Sequence, residues 1–420
     1  MSQPTPVRAA PEATKTQSRP DGGMPRTTSR ERTAPAITRE APWFAFNASS
    51  VPVQSEGPAF GPTRFVLGAN VPWVHEGVDI GTSPLRPEGG LHAHPEDAAL
   101  LRQVFERLRS DGVETARFFV LADGRAGLRF SEDGTPEGLD GAVFPDLEVV
   151  LEAARSSGIG LILVLLDERW MAPPSAFEGR QVGGHSDTIR DPAKRTALLE
   201  RVLRPLLLRC ADHPAILAWE ILANADLQTV GHGPAPVARR PVRDALRRLT
   251  GSTRKDAEAS ARVTVEEMRA FLCDAVALVH RHTRALATVG VGRWSELSLV
   301  RGLGLDVYSV GWPADETELR TAVSDLRLDR PLFLNSFPGG HPRKSIKTIL
   351  DTARCAGFGG AFVWSVLRHG AASGYDGQVG QWSRNHAAHL HRRQPAPAAP
   401  ASEQREEVAA AVSATLVVQR

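Results

Sequence analysis

The chain has 420 residues, of which 42% are hydrophobic and 23% are charged, and its formal net charge is +2 at pH 7. This balance is typical of a globular protein and creates no overall field that would attract nucleic acid or a membrane surface. No stretch approaches the roughly 20 consecutive apolar residues that a membrane span requires. We therefore predict neither a nucleic-acid partner nor a membrane partner, and the sequence identifies no protein partner.

The two ends of the chain differ in composition from the region between them. Residues 1–40 are rich in Pro, Ser, Thr and Arg and contain no apolar segment of the kind found in signal peptides, which predicts a disordered tail. Residues 393–420 begin as a Pro- and Ala-rich linker and form a second predicted tail. A cytoplasmic location is the default expectation, and an unconventional export route stays open.

Short apolar runs alternate with helical patterns in the region between the tails, 41–392. In chain order, strands are predicted at 65–68, 115–120, 160–166, 216–222, 285–291, 305–310, 331–335 and 360–364. Helices are predicted from Pro95 onward and at 144–157, 192–211, 264–282, 316–326 and 345–356, with a short helix after the fifth strand. Glu96 and Asp97 follow Pro95, which suits the positive end of a helix dipole.

The predicted strands are apolar throughout, as expected when both faces of a parallel sheet are buried. Alternation of strands and helices is compatible with a closed barrel or a doubly wound sheet. Eight strand–helix units in roughly 330 residues favour the barrel. We predict an α/β fold, a single-domain (β/α)₈ TIM barrel, with an Arg-rich insertion at about 227–262. The insertion carries seven basic residues within one segment: Arg239, Arg240, Arg243, Arg247, Arg248, Arg254 and Lys255. This cluster indicates a solvated surface segment. The alternative interpretation is a binding site for an acidic partner or polyphosphate.

Functional side chains of such barrels lie at the carboxyl ends of the strands. Six segments carry these strand ends in chain order: FVLGANVPW, GVETARFFVLADGRAGLRF, HPAILAWEILANAD, GLGLDVYSVGWP, RPLFLNSFPGG and GFGGAFVWS. Together they resemble the cellulase-like retaining glycoside hydrolases, a clan that includes cellulases and β-mannanases. The resemblance spans 65 to about 365 and implies an oligosaccharide or polysaccharide ligand. The resemblance matches Arg117 to an arginine near the nucleophile of that family. It matches Trp364 to the tryptophan that forms the floor of the sugar-binding site.

Both catalytic glutamates of that family are replaced in this chain. The family's Asn-Glu pair after the fourth strand, whose glutamate is the acid/base, aligns with Ala223 and Asn224. The nucleophilic glutamate after the seventh strand aligns with Ser336, and a histidine after the sixth strand aligns with Gly311. Retaining hydrolysis needs two carboxyl groups about 5–5.5 Å apart. An amide donates no useful proton near neutral pH, and a serine hydroxyl without an adjacent base is a poor nucleophile.

These replacements predict a catalytically inactive relative that serves as a carbohydrate-binding or interaction scaffold. One alternative is a working hydrolase with displaced carboxylates, for which the candidates are Asp226, Asp167 and Glu168. Of these, Asp226 lies just beyond the strand and is expected to face solvent or to cap a turn. Another alternative is a scaffold without sugar affinity that acts through the insertion or the tails. Glu220 lies inside the fourth strand, and we predict that its carboxylate is buried and hydrogen-bonded within the barrel.

Several further side chains have two interpretations each. Arg117 either binds a sugar or forms a structural ion pair in the barrel. Tryptophans at three strand ends either stack on sugar rings or pack in the core: Trp170, Trp312 and Trp364.

Metal ligands and disulfides are not indicated by the spacing of histidines and cysteines. The pair His92 and His94 has no third ligand nearby and is predicted to lie in a surface loop. Cys210, Cys273 and Cys355 are far apart and are predicted to be reduced and mostly buried. We therefore predict no metal and no cofactor.

Overall fold

A computed structural model describes residues 64–211, 213–229, 262–312, 323–367, 370 and 372–391. The predictions for the tails at 1–40 and 393–420 lie outside the described residues, as do those for the basic cluster at 239–255 and for most of the helix at 316–326. Within the described part of the chain, no helix combines the length and the apolar character needed to cross a membrane.

The described residues form twelve strands and eight α-helices, which we number in chain order. The strands are β1 Val66–Asn70, β2 Thr115–Ala122, β3 Leu128–Phe130, β4 Pro136–Leu139, β5 Gly160–Leu166, β6 Ser175–Phe177, β7 Arg180–Val182, β8 Ile216–Leu222, β9 Leu286–Val291, β10 Val307–Val310, β11 Leu332–Pro338 and β12 Gly360–Trp364. The helices are α1 Pro95–Ser110, α2 Val143–Ser157, α3 Asp187–Arg190, α4 Pro192–Ala197, α5 Arg204–Arg209, α6 Val265–His282, α7 Ile346–Cys355 and α8 Gly377–Asn385. Short 3₁₀ turns lie at Glu168–Met171, Trp294–Leu299, Val323–Leu326 and Ala387–His389.

Eight of these strands close into a barrel in the order β1-β12-β11-β10-β9-β8-β5-β2. Each neighbouring pair in the barrel is parallel, as between β1 and β2 and between β11 and β12. The predicted (β/α)₈ TIM barrel is therefore confirmed. Two small antiparallel hairpins, β3–β4 and β6–β7, and helix α8 were not predicted. The strands of the hairpins are too short to produce a recognisable apolar alternation.

Some predicted elements have different boundaries or geometry in the structure. The single helix expected at 192–211 is divided by a π-helical turn, Leu198–Leu203, between α4 and α5. Strand β11 continues to Pro338 instead of ending at 335, so Ser336 lies within the strand. Its register with β12 shifts between Leu334 and Phe337, which indicates a bulge next to Ser336.

The interior of the barrel is filled by apolar side chains from the first halves of the strands. A cluster inside the barrel consists of Val66, Ile162, Ala218, Leu286, Val307, Phe333 and Phe362. Gly68 provides the space for one of these rings, since a Cβ at this position would lie 2.2 Å from Phe362. This packing closes the amino end of the barrel and leaves the carboxyl ends of the strands as the open mouth.

The structure corrects the prediction for the cysteines. Cys210 is buried, but Cys273 and Cys355 are exposed. On α6 the buried residues include Met268, Leu272 and Ala275, and Cys273 points away from that stripe. The helical pattern identified the element correctly, but the thiol belongs to its solvent-facing side.

Candidate functional site at the barrel mouth

A buried ion pair crosses the barrel below its mouth. The Nε of Arg117 donates to Oε2 of Glu220 and its Nη2 donates to Oε1, both at 2.6 Å. Its Nη1 donates to Oδ1 of Asn70 at 3.0 Å. The predicted buried carboxylate at Glu220 is confirmed, and Arg117 forms the structural ion pair that was one of its two interpretations.

Asn70 extends this pair to the two strands on the opposite side. Its Nδ2 donates to the backbone oxygens of Asn335 at 2.9 Å and of Val363 at 3.3 Å. These residues directly precede Ser336 and Trp364. The ion pair and Asn70 therefore position the strand ends that carry two of the predicted site residues.

Little space remains around the ion pair. A cavity of about 10 Å³ lies beside Arg117 and Glu220, which is near the lower limit for one water molecule. Gly290 allows the carboxylate to approach β9, because a Cβ there would lie 2.5 Å from Oε1 of Glu220. A sugar ring does not fit at this depth.

Aromatic side chains line one side of the mouth. Trp73 and Trp364 are partly exposed and pack against a buried group of Phe119, Ala122, Val164 and Ala223. The ring of Phe119 lies 5.9 Å from that of Trp73 and 6.5 Å from that of Trp364, both edge to face. We refer to Trp73, Phe119 and Trp364 as the mouth aromatic cluster.

Trp73 was not among the sequence-predicted site residues. It lies three positions after Asn70, the last residue of β1, and position just beyond a barrel strand was the signal that would have found it. Trp364 lies at the mouth as predicted, and its peptide bond to Ser365 is cis.

The other two tryptophan candidates have different surroundings. Trp170 is fully buried, its Nε1 donates to Oγ1 of Thr188 at 2.9 Å, and it packs against the ring of His185. The stacking interpretation of Trp170 is therefore wrong, because no face of the ring is available to a sugar. Trp312 is partly exposed and lies 5.7 Å from the ring of His341, so it remains a candidate.

Among the displaced acids, Asp226 and Asp167 are both committed to hydrogen bonds. Asp226 was expected to face solvent or cap a turn, but it is fully buried. It accepts from the backbone N–H of Gly292 at 2.5 Å and from Nε of Arg293 at 3.1 Å. Asp167 is buried and accepts from Nη2 of Arg169 at 2.7 Å and from the Arg169 N–H at 2.9 Å.

Arg169 joins Asp167 to the aromatic cluster. Its guanidinium lies 5.6 Å from the ring centre of Trp73 and 3.9 Å from the carboxylate of Asp123. Asp123 is itself paired with Arg125 at 2.7 Å. Two arginines thus balance the two buried aspartates at this edge of the mouth.

Glu168 is the third displaced candidate and has a different partner. Its Oε2 accepts a hydrogen bond from Nδ2 of Asn224 at 3.0 Å. Burial, and secondly the neighbouring Asp167 carboxylate, raise the pKa of Glu168. Among the residues that the structure describes, no arginine, lysine or histidine forms an ion pair with Glu168. It is therefore a partly exposed carboxyl group without an ion-pair partner in the described ranges, and the charge of nearby Arg169 lowers its pKa to a smaller extent than burial and Asp167 raise it.

Within the described residues, Ser336 contacts no group that could act as its base. Its Oγ donates to Oδ1 of the adjacent Asn335 at 3.2 Å, and an amide oxygen does not remove a proton from a hydroxyl. The structure thus brings Asn224 and Glu168 together, and it places Ser336 on β11 without an acidic partner in the described ranges.

The histidine pair does not form a metal site. Nδ1 of His92 lies 2.6 Å from the buried carboxylate of Asp146, and Nε2 of His94 lies 2.8 Å from Glu88. Within the described ranges, no three His, Cys, Asp or Glu side chains converge in a way that would hold a metal ion.

Comparison with known proteins agrees with the resemblance drawn from the strand ends. The chain is 20% identical over 327 residues to a mannan endo-1,4-beta-mannosidase of Mytilus edulis, which covers 72% of this chain and 83% of that relative. The fold is similar to the crystal structure of an endo-1,4-beta-mannanase from Eisenia fetida, with a TM-score of 0.59, 20% identity and coverage of 79% of this chain and 92% of that chain. The X-ray structure of a beta-mannanase from the blue mussel Mytilus edulis matches with a TM-score of 0.59, 18% identity and coverage of 79% and 95%.

No protein-family model matches the chain. At identities of 20% and below, the structural likeness establishes the fold. Over most of its length the chain is similar in sequence to an endo-1,4-β-mannosidase, and it shares the (β/α)₈ barrel of the solved β-mannanases.

Proposed function

We propose that this protein binds β-1,4-linked mannan-type oligosaccharides at the barrel mouth without hydrolysing them. The observation that carries the proposal is the chemistry at the two strand ends where the related family has its glutamates. Asn224 there is an amide, and Ser336 is a hydroxyl that has no base among the residues the structure describes. A retaining mechanism needs two carboxyl groups facing each other across the cleft, and these positions supply none.

The mouth nevertheless keeps groups that suit a sugar. An aromatic face fits the apolar face of a pyranose ring, and Trp73 and Trp364 are both partly exposed on the mouth aromatic cluster. Polar groups with free hydrogen-bonding capacity lie beside them, among them Asn224 and Glu168. Apolar walls with a few oriented polar groups are the usual composition of a small-ligand site.

Calorimetry with mannohexaose, paired with an assay for reducing ends released from mannan, tests this function. We expect measurable binding and no turnover. Trp364→Ala should weaken binding by roughly tenfold or more, since loss of an aromatic contact costs about 1–3 kcal/mol. Leu208→Ala is the control, because Leu208 is an exposed apolar side chain on α5, away from the mouth. Sustained hydrolysis by the wild type, or no affinity for mannan or glucan oligosaccharides, would overturn the proposal.

A second candidate, slow hydrolysis with Glu168 as the acid, is favoured by one observation. Burial and the adjacent carboxylate raise the pKa of Glu168, and a general acid must hold its proton at the working pH. In the described ranges this candidate has no free nucleophile or base at the other two displaced acids, because Asp167 and Asp226 are held by Arg169 and Arg293. Turnover by the wild type that disappears in Glu168→Gln would establish it.

A further inference from the structure

We propose that Glu168 and Asn224 act together as a hydroxyl-binding pair that determines which glycan the mouth accepts. The inference rests on the proposed function, since it assigns specificity to the same site. In the related family the position of Asn224 holds the proton donor. Here its amide is paired instead with a carboxylate from the neighbouring strand.

The two side chains come from adjacent barrel strands. Glu168 follows the end of β5 by two residues, and Asn224 follows the end of β8 by two residues. The strands are paired as far as Leu166 and Leu222, which brings both side chains to the same height above the barrel. The result is the 3.0 Å contact between Nδ2 of Asn224 and Oε2 of Glu168.

Each member of the pair is also held by contacts outside it. Glu168 begins a 3₁₀ turn that is capped by Asp167, whose carboxylate is paired with Arg169. Asn224 has a left-handed backbone with φ of 52°, and its carbonyl accepts from the N–H of Leu227 at 3.0 Å. A left-handed backbone is well tolerated by asparagine. The pair is therefore oriented before any ligand arrives, which reduces the ordering cost of binding.

The mutual hydrogen bond uses only part of the bonding capacity of the pair. A carboxylate has about four acceptor positions, and an amide has two donors and two acceptor positions. A sugar hydroxyl both donates and accepts, so it can donate to Glu168 and accept from Asn224. Adjacent hydroxyls on one ring match this arrangement of an acceptor beside a donor.

The charge of the Glu168 carboxylate also favours binding of a ligand that donates hydrogen bonds. The carboxylate has no ion-pair partner among the described residues; the buried Asp167 carboxylate disfavours its charged form, and the Arg169 guanidinium favours that form to a smaller extent. A charged group that is partly removed from water is stabilised by hydrogen-bond donors. Hydroxyl groups supply such donors without introducing a charge.

The aromatic cluster is connected to the pair through Ala223. Ala223, the residue before Asn224, packs in the group against which Trp73 and Trp364 rest. A ring stacked on the cluster therefore has its edge, with its hydroxyl groups, close to the pair. The aromatic rings and the pair then both contribute to affinity, and the pair adds a dependence on how the hydroxyl groups are arranged.

Calorimetry with mannohexaose on the intact protein tests the pair. We expect Glu168→Gln and Asn224→Ala each to weaken binding by roughly tenfold or more, as for a lost hydrogen bond to a charged group. The matched control is Glu106→Gln, since Glu106 is an exposed carboxylate on α1, and its affinity should equal that of the wild type. Thermal melts of each variant show whether the fold is retained.

The pH dependence of affinity distinguishes recognition from a structural role. The ionised carboxylate is the better acceptor, so wild-type affinity should fall as the pH is lowered through the raised pKa of Glu168. Glu168→Gln should lose this dependence. Binding of mannohexaose that is unchanged by both substitutions would overturn the inference while leaving the proposed function intact. Absence of binding by the wild type would overturn the proposed function itself.

A charged ligand provides the final arm of the experiment. If a glucosamine hexamer bound more tightly than mannohexaose, in a manner that required Glu168 and weakened with salt, the site would recognise an ammonium group. That result would overturn recognition through hydroxyl groups. Equal or weaker binding of the glucosamine hexamer, together with loss of mannohexaose binding in both variants, supports the pair.

Discussion

Asp79 is buried in the segment that follows β1 and carries Trp73. Its Oδ1 accepts from the backbone N–H groups of Val74 at 3.1 Å and His75 at 3.0 Å, whereas its Oδ2 has no hydrogen-bond partner. Burial raises the pKa of Asp79 to about 6, against the lowering effect of those two N–H groups. One carboxylate thus holds the backbone beside an aromatic residue of the mouth.

Asp79→Asn should reduce the pH dependence of stability. Because the folded-state pKa is above the ordinary 3.8, the stabilising contribution of protonated Asp79 is complete below about pH 4 and is lost as pH rises through about 6. This difference corresponds to about 3 kcal/mol at most. We therefore expect urea denaturation to show that the free energy of unfolding of the variant, relative to that of the wild type, is higher at pH 7.5 than at pH 4. If the variant and the wild type differed in free energy of unfolding by the same amount at pH 4 and pH 7.5, burial of Asp79 would not be the origin of a raised pKa.

The individual acids also show what a sequence can predict about a site. Asp226, Asp167 and Glu168 all follow barrel strands, so position alone made them equal candidates. Their partners separate them, since Arg293 holds Asp226 and Arg169 holds Asp167. Those partners are 67 and two residues away in the chain. The distant contact depends on how β9 lies beside β8, which no local pattern records.

At the scale of elements, the segment between β1 and α1 depends on one residue of α2. The carboxylate of Asp146 accepts from the N–H groups of Gly81 at 2.7 Å, Gly90 at 2.9 Å and His92 at 2.7 Å. Nδ1 of His92 lies 2.6 Å from the same carboxylate. Asp146 itself is fully buried. These bonds tie the segment that carries Trp73 to the outer helix layer.

Asp146→Asn should destabilise the protein by about 2–4 kcal/mol, because a buried amide replaces a carboxylate that accepts several N–H bonds. Urea denaturation at neutral pH measures the loss. Asp187→Asn is the control, since the Asp187 side chain is 64% exposed and should change stability little. A loss below 1 kcal/mol for Asp146→Asn would show that the segment is held mainly by its apolar contacts.

Elements differ in how well the sequence predicted them. Strands such as β5 and β8 were predicted with their observed bounds, because residues buried on both faces form uninterrupted apolar runs. The π-helical turn between α4 and α5 was not predicted, since its residues fit an ordinary helical pattern. The end of β11 was placed too early, at Asn335, because Ser336 and the Pro-Gly-Gly that follows suggest the start of a loop.

For the whole molecule, the barrel follows from burial patterns, but the site follows from contacts between strand ends. The strand-end motifs located the mouth and identified Asn224 and Ser336. They did not reveal that Glu168 of the β5 end contacts Asn224 of the β8 end at 3.0 Å. Trp73 was missed for a similar reason, since its role depends on Phe119 from a different strand. In this chain the fold can therefore be predicted from local burial patterns, whereas the chemistry of the site depends on contacts between residues that are far apart in the sequence.

The Glu168–Asn224 contact affects any attempt to restore hydrolysis. Glutamates at positions 224 and 336 would supply the two carboxyl groups of the family mechanism. A glutamate at 224 would then lie next to Glu168, and two neighbouring carboxylates repel, which destabilises the fold and displaces the new acid from its catalytic position. Asn224→Glu with Ser336→Glu alone should therefore be both less stable and nearly inactive.

Adding Glu168→Gln removes the repulsion and leaves an amide to hydrogen-bond the new acid. We expect the triple variant to release reducing ends from mannan measurably faster than the double variant. Its rate should stay well below that of an efficient enzyme, because Ala223 and Gly311 also differ from the family pattern. The Glu168→Gln single variant is the control and should show no turnover. A folded triple variant no faster than the double would mean that the Glu168 carboxylate is not what prevents catalysis, and that the missing side chains at 223 and 311 are decisive.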